Sequence, residues 1–257
     1  MAAKVESVSF TSADGHSLSA RLHRPEQPGP NTTFRAAIFA HCFTCSKDVP
    51  AASRISRALA ELGIAVLRFD FTGLGQSEGD FSNTSFSSNV SDLKLAASWL
   101  QEQQLIPRML IGHSLGGAAV LAAAKEIETT QAIVTLAAPS EPNHIMHMFS
   151  EHMESIHNQG EATVAIAGRP FTLRRQFVED LEQHHLLDDV KNLGKALLIF
   201  HSPEDSVVDI EHARHIYEAA RHPKSFISLA GADHMLSNPA DSLYAGSVIA
   251  AWAKRYI

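Results

Sequence analysis

Apolar positions along the chain follow two alternating patterns. Short continuous apolar runs, typical of buried strands, alternate with longer stretches in which apolar side chains recur every three or four residues, typical of amphipathic helices. Strands are predicted at residues 5–10, 18–23, 36–41, 64–71, 107–112, 132–138, 196–201 and 226–229, helices at 48–62, 90–101, 115–127, 210–220 and 241–252, and a Pro-rich loop at 25–31. Apolar strands separated by helices of this length predict an α/β protein, with a mostly parallel sheet and helices on both faces.

The pattern changes between Pro139 and Asn192, where the alternation of strand and helix stops. This stretch has short patterns of its own, including a hairpin pattern on both sides of Gly168, and it is too long to be a simple connection. We therefore predict a single domain over residues 1–257 with a small lid insertion at about 140–192. The larger apolar side chains of the lid either line a substrate pocket or pack the lid onto the core: Met146, Met148, Phe149, Met153 and Phe171.

Composition narrows the possible functions. With 257 residues, of which 45% are hydrophobic and 19% charged, the chain can bury a full core. Its formal net charge of -7 argues against nucleic acid as a partner, because phosphate binding needs a basic surface. No apolar run is long enough for a membrane span, and residues 1–10 lack the apolar stretch of an export signal, so we expect a cytoplasmic protein. The 15 histidines show no metal-ligand spacing, so no metal site is predicted.

A candidate nucleophile lies between a predicted strand and a predicted helix. Gly112-His113-Ser114-Leu115-Gly116 matches the pattern G-x-S-x-G, in which small residues let the chain turn sharply and expose the serine hydroxyl at a helix N-terminus. The partial positive charge there favours an anionic intermediate. A helix N-cap is the alternative task for such a serine, but the flanking strand and helix favour the nucleophile.

A serine hydroxyl needs a base, and the base needs an orienting carboxylate. In the G-x-S-x-G context these follow the serine in the order acid, then histidine, on loops after later strands. Asp205 follows the strand at 196–201 and His234 follows the strand at 226–229, so both lie where parallel strands end and ligands bind. We predict Asp205 as the orienting acid and His234 as the base.

Three other carboxylates compete with Asp205. Asp209 stands where the helix from residue 210 needs an N-cap, and Asp233 is expected to be a loop carboxylate beside His234. Glu204, next to Asp205, remains a rival for the same task.

An oxyanion formed at the serine needs two backbone N–H donors. One is predicted at Leu115, the residue after the nucleophile, and the other in the loop 41–48, where Phe43 is the first candidate and Cys42 the second. Three residues that flank these positions are predicted to contact the substrate: His41, Cys42 and His113.

Three stretches together resemble a known superfamily: FAHCFTCSKD at 39–48, RFDFTGLG at 68–75 and IGHSLGG at 111–117. The chain resembles the α/β-hydrolase superfamily over nearly its whole length, and more narrowly the hydrolase half of bacterial proteins in which such a domain precedes an OsmC-type domain. The resemblance implies an eight-stranded, mostly parallel sheet and cofactor-free hydrolysis of an ester or related acyl bond in a small-molecule substrate. It also implies a possible OsmC-type domain partner in a longer chain.

Two alternative hypotheses about the function stay open, and neither is a serine hydrolase. Cys42 and Cys45 form a C-x-x-C pattern, which is typical of thiol and redox proteins, although no thioredoxin-like pattern precedes it. A non-catalytic binding module with the same fold is the other reading, against which stand the intact Ser114, Asp205 and His234.

Overall fold

The computed structural model describes residues 3–26 and 34–257, so the predicted Pro-rich loop at 25–31 lies mostly outside the described residues. The strands are β1 Lys4–Thr11, β2 Ser17–Arg24, β3 Phe34–Ala40, β4 Ala65–Phe69, β5 Leu105–His113, β6 Ala132–Leu136, β7 Glu161–Ile166, β8 Arg169–Arg174, β9 Ala196–His201 and β10 Lys224–Ser228. The helices are α1 Pro50–Glu61, α2 Phe86–Glu102, α3 Leu115–Ala123, α4 Met153–Gln159, α5 Arg175–Gln183, α6 Leu186–Lys191, α7 Glu211–Ala219 and α8 Pro239–Ala253.

The main sheet has eight strands in the order β1-β2-β4-β3-β5-β6-β9-β10. The first two strands form an antiparallel hairpin, β2 pairs antiparallel with β4, and all other neighbours are parallel. The central strands β4, β6 and β9 are buried along their whole length, as expected of parallel strands covered by helices on both faces. This arrangement confirms the predicted α/β-hydrolase fold.

Each face of the sheet has its own apolar core. One core lies under α2 and α3 and extends into the segment between β6 and β9, and the other lies under α1 and α8. α3 is apolar on all sides and all nine of its residues are buried, so this helix is surrounded by protein. Its N-terminus, which begins directly after Ser114, is thereby held at one fixed place at the sheet edge.

The segment between β6 and β9 folds as an insertion (residues 140–192) of short elements. It contains a 3₁₀ segment Pro142–His152, α4, the hairpin β7–β8, α5 and α6. The 3₁₀ geometry of Pro142–His152 is broken by non-helical dihedrals at Phe149. Phe149 is buried in the core while Met148 is 40% exposed, so these apolar side chains do not share one role.

The carboxyl ends of the parallel strands bring four loops to one edge of the sheet. These loops follow β3, β5, β9 and β10, and they carry residues 41–48, Ser114, Asp205 and His234. Parallel strands all point the same way, so loops that are far apart in the sequence meet there. None of the helices in the described ranges has the length and apolarity needed to cross a bilayer.

Candidate active site

Ser114 occupies a strained turn between β5 and α3. Its dihedrals are φ 53° and ψ -125°, a conformation that a residue with a Cβ adopts at a cost of about 1–3 kcal/mol. Backbone hydrogen bonds hold it on both sides: Ser114 N donates to Leu136 O at 2.9 Å, and Gly117 N donates to Ser114 O at 2.8 Å. The serine is therefore fixed by the neighbouring strand and by the first turn of α3, as in a nucleophile elbow.

The glycines around Ser114 are required by close backbone contacts. A Cβ on Gly112 would overlap the carbonyl of Gly116, and a Cβ on Gly116 would overlap the carbonyls of Ala40 and His41. The first turn of α3 thus crosses β5 at very short range and at the same time lies directly against the start of the loop 41–48. The G-x-S-x-G spacing predicts the first of these contacts, and only the folded chain shows the second.

Asp205 and His234 form the hydrogen-bonded pair that the sequence predicts. His234 Nδ1 lies 2.8 Å from Asp205 Oδ2. The carboxylate accepts this bond, so Nδ1 carries the proton and Nε2 is left free to act as a base. The other carboxylate oxygen, Oδ1, accepts the N–H groups of Val207 and Val208 at 2.9 and 3.0 Å.

The hydrogen bonds to Asp205 keep its carboxyl ionised. Burial by itself raises the pKa of Asp205, but the bond from His234 and the N–H groups of Val208 and Val207 outweigh burial, and the net pKa lies below the usual value. An ionised carboxylate beside His234 stabilises the imidazolium that forms when the ring accepts a proton.

Two further histidines, for which the sequence predicts no such role, fix the loops of this pair. His113 Nε2 donates to the carbonyl of His234 at 2.7 Å, and His201 Nε2 donates to the carbonyl of Val208 at 2.8 Å. Burial lowers the pKa of both rings, to about 3 for His113, so both are neutral donors near neutral pH. His201 Nε2 is also 3.6 Å from Asp205 Oδ2. The sequence held a signal for both roles, because each histidine ends a strand, His113 directly before Ser114 and His201 at the start of the loop that carries Asp205.

The competing carboxylates all have other partners. Glu204 Oε2 accepts the N–H of Gly231 at 2.8 Å, which ties the acid loop to the histidine loop. Asp209 Oδ1 accepts the N–H of Glu211 at 2.8 Å at the start of α7. Asp233 Oδ1 accepts the N–H of Ser237 at 2.9 Å. Of these four carboxylates, Asp205 is the one that is hydrogen-bonded to the imidazole of His234.

Ser114 lies close to this pair, but its hydroxyl is not hydrogen-bonded to the imidazole of His234 in the described part of the chain. His113, its neighbour in the chain, has its ring centroid 5.0 Å from that of His234. The hydrogen bonds of the described residues include His234 with Asp205, but none joins Ser114 Oγ to the imidazole. Bonds between nucleophile and base are often long in free enzymes and tighten when substrate binds.

The loop 41–48 carries both predicted second donors for an oxyanion. No acceptor within the described ranges bonds the N–H of Phe43 or of Cys42. The N–H of Leu115 belongs to the first turn of α3, where backbone donors have no partner inside the helix. Cys42 and Cys45 are joined by a disulfide, with their Cα atoms 5.3 Å apart. Neither sulfur is therefore a free thiol in this structure.

His41 anchors the beginning of the same loop. Its Nδ1 donates to the carbonyl of Cys42 at 2.8 Å and its Nε2 accepts the N–H of Phe71 at 3.3 Å. Burial lowers the pKa of this ring, which favours the neutral form that such a pair of bonds needs. His41 and His113 are both almost fully buried and bonded to backbone. The structure thus shows that both residues position backbone and that Cys42 is part of the disulfide, and the contact of all three with substrate stays a prediction.

A buried ion pair, absent from the sequence prediction, anchors the end of the loop. Lys47 Nζ lies 2.6 Å from Asp70 Oδ2, and Lys47 N donates to Asp70 Oδ1 at 2.5 Å. Gln76 N also donates to Asp70 Oδ2 at 2.9 Å. The Lys47 and Asp70 side chains are 1% and 0% exposed. Separating such a buried pair would leave a charge without a partner, so the pair holds the loop 41–48 against the end of β4.

Aromatic side chains connect the loop 41–48 to the insertion. The ring of Phe43 stacks on Phe177 of α5 with centroids 5.7 Å apart, and Phe81 contacts Phe171 of β8 at 5.0 Å. Arg169 donates to the carbonyl of Thr44. The insertion therefore packs directly on the residue predicted to supply the second oxyanion donor.

Buried neutral histidines predict a loss of stability in mild acid. Burial lowers the pKa of His23 to about 4 and of His113 to about 3, from 6.5. Between these values and 6.5 the unfolded chain binds more protons than the folded one, so the free energy of unfolding falls as pH falls, by up to about 1.4 kcal/mol per pH unit for each ring. We expect urea midpoints to fall steadily from pH 7 to pH 4.5.

The control for this prediction is His23→Gln, which removes one titrating ring away from Ser114 and should make the pH dependence less steep. Burial raises the pKa of Asp92 to about 6, so this carboxyl makes the folded chain more stable as the pH falls. It is one group, whereas several buried histidines have the opposite effect. Midpoints that stay constant between pH 7 and pH 5 would contradict the prediction.

Comparison with curated proteins finds short or distant relatives. The chain is 25% identical to mouse mitochondrial palmitoyl-protein thioesterase ABHD10 over 189 residues, which are 70% of this chain and 62% of the relative. It is 30% identical to an uncharacterized 31.7 kDa protein of Escherichia coli over 83 residues, 29% of that relative. The matches thus span less than two thirds of either relative.

Solved structures match over the whole chain. The esterase domain of a Rhodothermus marinus protein is 44% identical, with a TM-score of 0.79, and the alignment covers 98% of this chain and 99% of that domain. Est1E from Butyrivibrio proteoclasticus, solved with ferulic acid, has a TM-score of 0.80 at 21% identity, with 96% and 98% covered. At that lower identity the likeness shows the fold alone.

The family comparison completes this picture. Residues 49–189, more than half of the chain, match the family model described as serine aminopeptidase, S33. The matched range includes Ser114 and most of the insertion. The chain therefore belongs to this family of α/β-hydrolases.

Proposed function

We propose that this protein is a serine esterase that cleaves a carboxylic ester, or a related acyl bond, through an acyl-enzyme on Ser114. The observation that carries the proposal is the pairing of His234 with Asp205 at 2.8 Å beside a serine held in the strained turn of a nucleophile elbow. The 44% identity to an esterase domain over nearly the whole chain supports it.

The proposed mechanism has two steps. In the first, Ser114 attacks the carbonyl carbon while His234 Nε2 takes the hydroxyl proton, and the proton then passes to the leaving alcohol. The N–H groups of Leu115 and Phe43 stabilise the oxyanion. In the second step, His234 activates a water that releases the acid from Ser114. Asp205 holds the imidazole in the required tautomer throughout.

The substrate class is part of the proposal. An acyl bond in a small molecule fits the family, and the mouse relative at 25% identity is named a thioesterase, so oxygen esters and thioesters are both to be tested. The phenylalanines at the junction of the loop 41–48 and the insertion give an apolar surface beside Phe43, which favours an apolar acyl group. A cytoplasmic location and an OsmC-type partner domain remain predictions from the sequence.

A fluorophosphonate probe tests the proposal directly. We expect the folded protein to be labelled on one residue, and peptide mass spectrometry should locate the label on Ser114. A series of p-nitrophenyl esters of increasing chain length, with matched thioesters, then measures kcat/KM. A folded protein that neither reacts with the probe nor hydrolyses any member of the series would favour a binding module instead.

A further inference from the structure

We propose that the Cys42–Cys45 disulfide is a redox-sensitive modification site, and that its reduction by a dithiol displaces the Phe43 N–H and lowers kcat. The inference rests on the proposed function, because the position of Phe43 N–H affects turnover only in an enzyme that stabilises an oxyanion.

The disulfide encloses only two residues, Phe43 and Thr44. The same turn is closed by one backbone hydrogen bond, in which Cys45 N donates to Cys42 O at 3.1 Å. The covalent link therefore spans the proposed donor itself, and opening it leaves one hydrogen bond across the turn.

The enclosed turn contains a strained residue. Thr44 has φ 57°, in the left-handed region, which a β-branched residue rarely occupies. Its side chain is buried, and its hydroxyl donates to the carbonyl of Phe43 at 2.7 Å. When the covalent link is removed, Thr44 gains the freedom to return to a favoured region. That change rotates the peptide units on both sides of Thr44, and because both ends of the loop are held, a compensating rotation falls on Phe43 and turns its N–H.

Both ends of the loop are held independently of the disulfide. His41 bonds the backbone at the start, and the Lys47–Asp70 pair fixes the end. Movement after reduction is thus expected within residues 42–46, between these two anchors, and the fold is expected to survive. The contacts of Phe43 with Phe177 and of Thr44 with Arg169 limit the displacement. The effect should therefore be smaller than the complete loss of a donor.

Accessibility decides which sulfur reacts. Cys42 is 5% exposed, whereas Cys45 is partly exposed. A thiolate of the reductant attacks Cys45 Sγ and forms a mixed disulfide, while Cys42 Sγ leaves as a thiolate and takes up a proton. The second thiol of the reductant then attacks the reductant sulfur of this mixed disulfide. Cys45 Sγ leaves as a thiolate and takes up a proton. Two electrons pass from the dithiol to the protein, which gains two thiols, and the dithiol becomes a cyclic disulfide.

The test compares one preparation of the full protein in three states: oxidised, reduced with dithiothreitol and desalted under argon, and reoxidised with oxidised glutathione. Alkylation with iodoacetamide followed by mass spectrometry counts the thiols, and hydrolysis of a p-nitrophenyl ester gives kcat and KM. We expect two thiols after reduction and a fall in kcat of about tenfold, less than the roughly 10²–10³ for a deleted donor. KM should change by less than about twofold, and reoxidation should restore kcat.

A Cys42→Ser, Cys45→Ser double variant is the matched control. It is expected to have the kcat of the reduced wild type and no response to dithiol. If the variant does not fold, the kcat values of the oxidised, reduced and reoxidised wild-type protein test the inference by themselves.

Two results would overturn the inference while leaving the esterase proposal intact: a fully reduced, folded protein that keeps its kcat, or a disulfide that excess dithiol does not open in the folded protein. An oxidised protein without Ser114-dependent hydrolysis would overturn both proposals.

Discussion

Ser114→Ala is expected to lower kcat for ester hydrolysis by about 10⁴–10⁶-fold, because the variant has no nucleophile while the oxyanion donors and the binding surface remain. The turn itself should persist, since its dihedrals are held by Leu136 O and Gly117 N and alanine keeps the Cβ of serine. The measurements are kcat for hydrolysis of a p-nitrophenyl ester and the melting temperature of the variant.

Fluorophosphonate labelling serves as the control for this variant. Ser114→Ala should lose the label and keep a melting temperature within a few degrees of wild type. A variant that retains hydrolysis at the wild-type rate would show that the nucleophile lies elsewhere.

Asp205→Asn is expected to lower kcat by about 10³–10⁴-fold. The asparagine amide can donate to His234 Nδ1, which stabilises the tautomer with its proton on Nε2 and removes the base. The backbone N–H groups of Val207 and Val208 can still bond the side-chain oxygen, so the acid loop should keep its shape. The pH profile of kcat/KM and the melting temperature separate a catalytic from a structural loss.

Glu204→Gln is the matched control for Asp205→Asn. It neutralises the adjacent carboxylate but preserves an oxygen that can accept the N–H of Gly231. Its kcat should stay within about threefold of wild type. A larger loss in Glu204→Gln than in Asp205→Asn would reverse the assignment of the orienting acid.

At the turn around Ser114, the local sequence and the structure agree closely. Small residues around Ser114 and the apolar strand before it predict the turn, because the sterics that force it involve neighbours in the chain. The order of serine, acid and histidine after successive strands predicts which loops meet, because parallel strands end at one edge. The boundaries of β9 at Ala196–His201 agree with the prediction for the same reason: a continuous apolar run has clear ends.

Other features depend on contacts between residues that are distant in the sequence. The choice between the adjacent Glu204 and Asp205 depends on how the acid loop packs, since one carboxylate faces His234 and the other faces Gly231. The short helix α6 lacks the length that makes periodicity readable, and the 3₁₀ segment of the insertion is interrupted at Phe149, so neither has a continuous helical pattern.

The sequence by itself determined the fold class, the order of the strands and helices outside the insertion, and the chemical identity of the three residues proposed for catalysis. Only the tertiary structure decided that His113 and His201 hold the loops of His234 and Asp205, that Lys47 is buried against Asp70, and that a disulfide encloses Phe43. The physical reason is that periodicity and turn chemistry act between near neighbours, whereas hydrogen bonds of buried polar groups depend on which strand ends the fold places side by side.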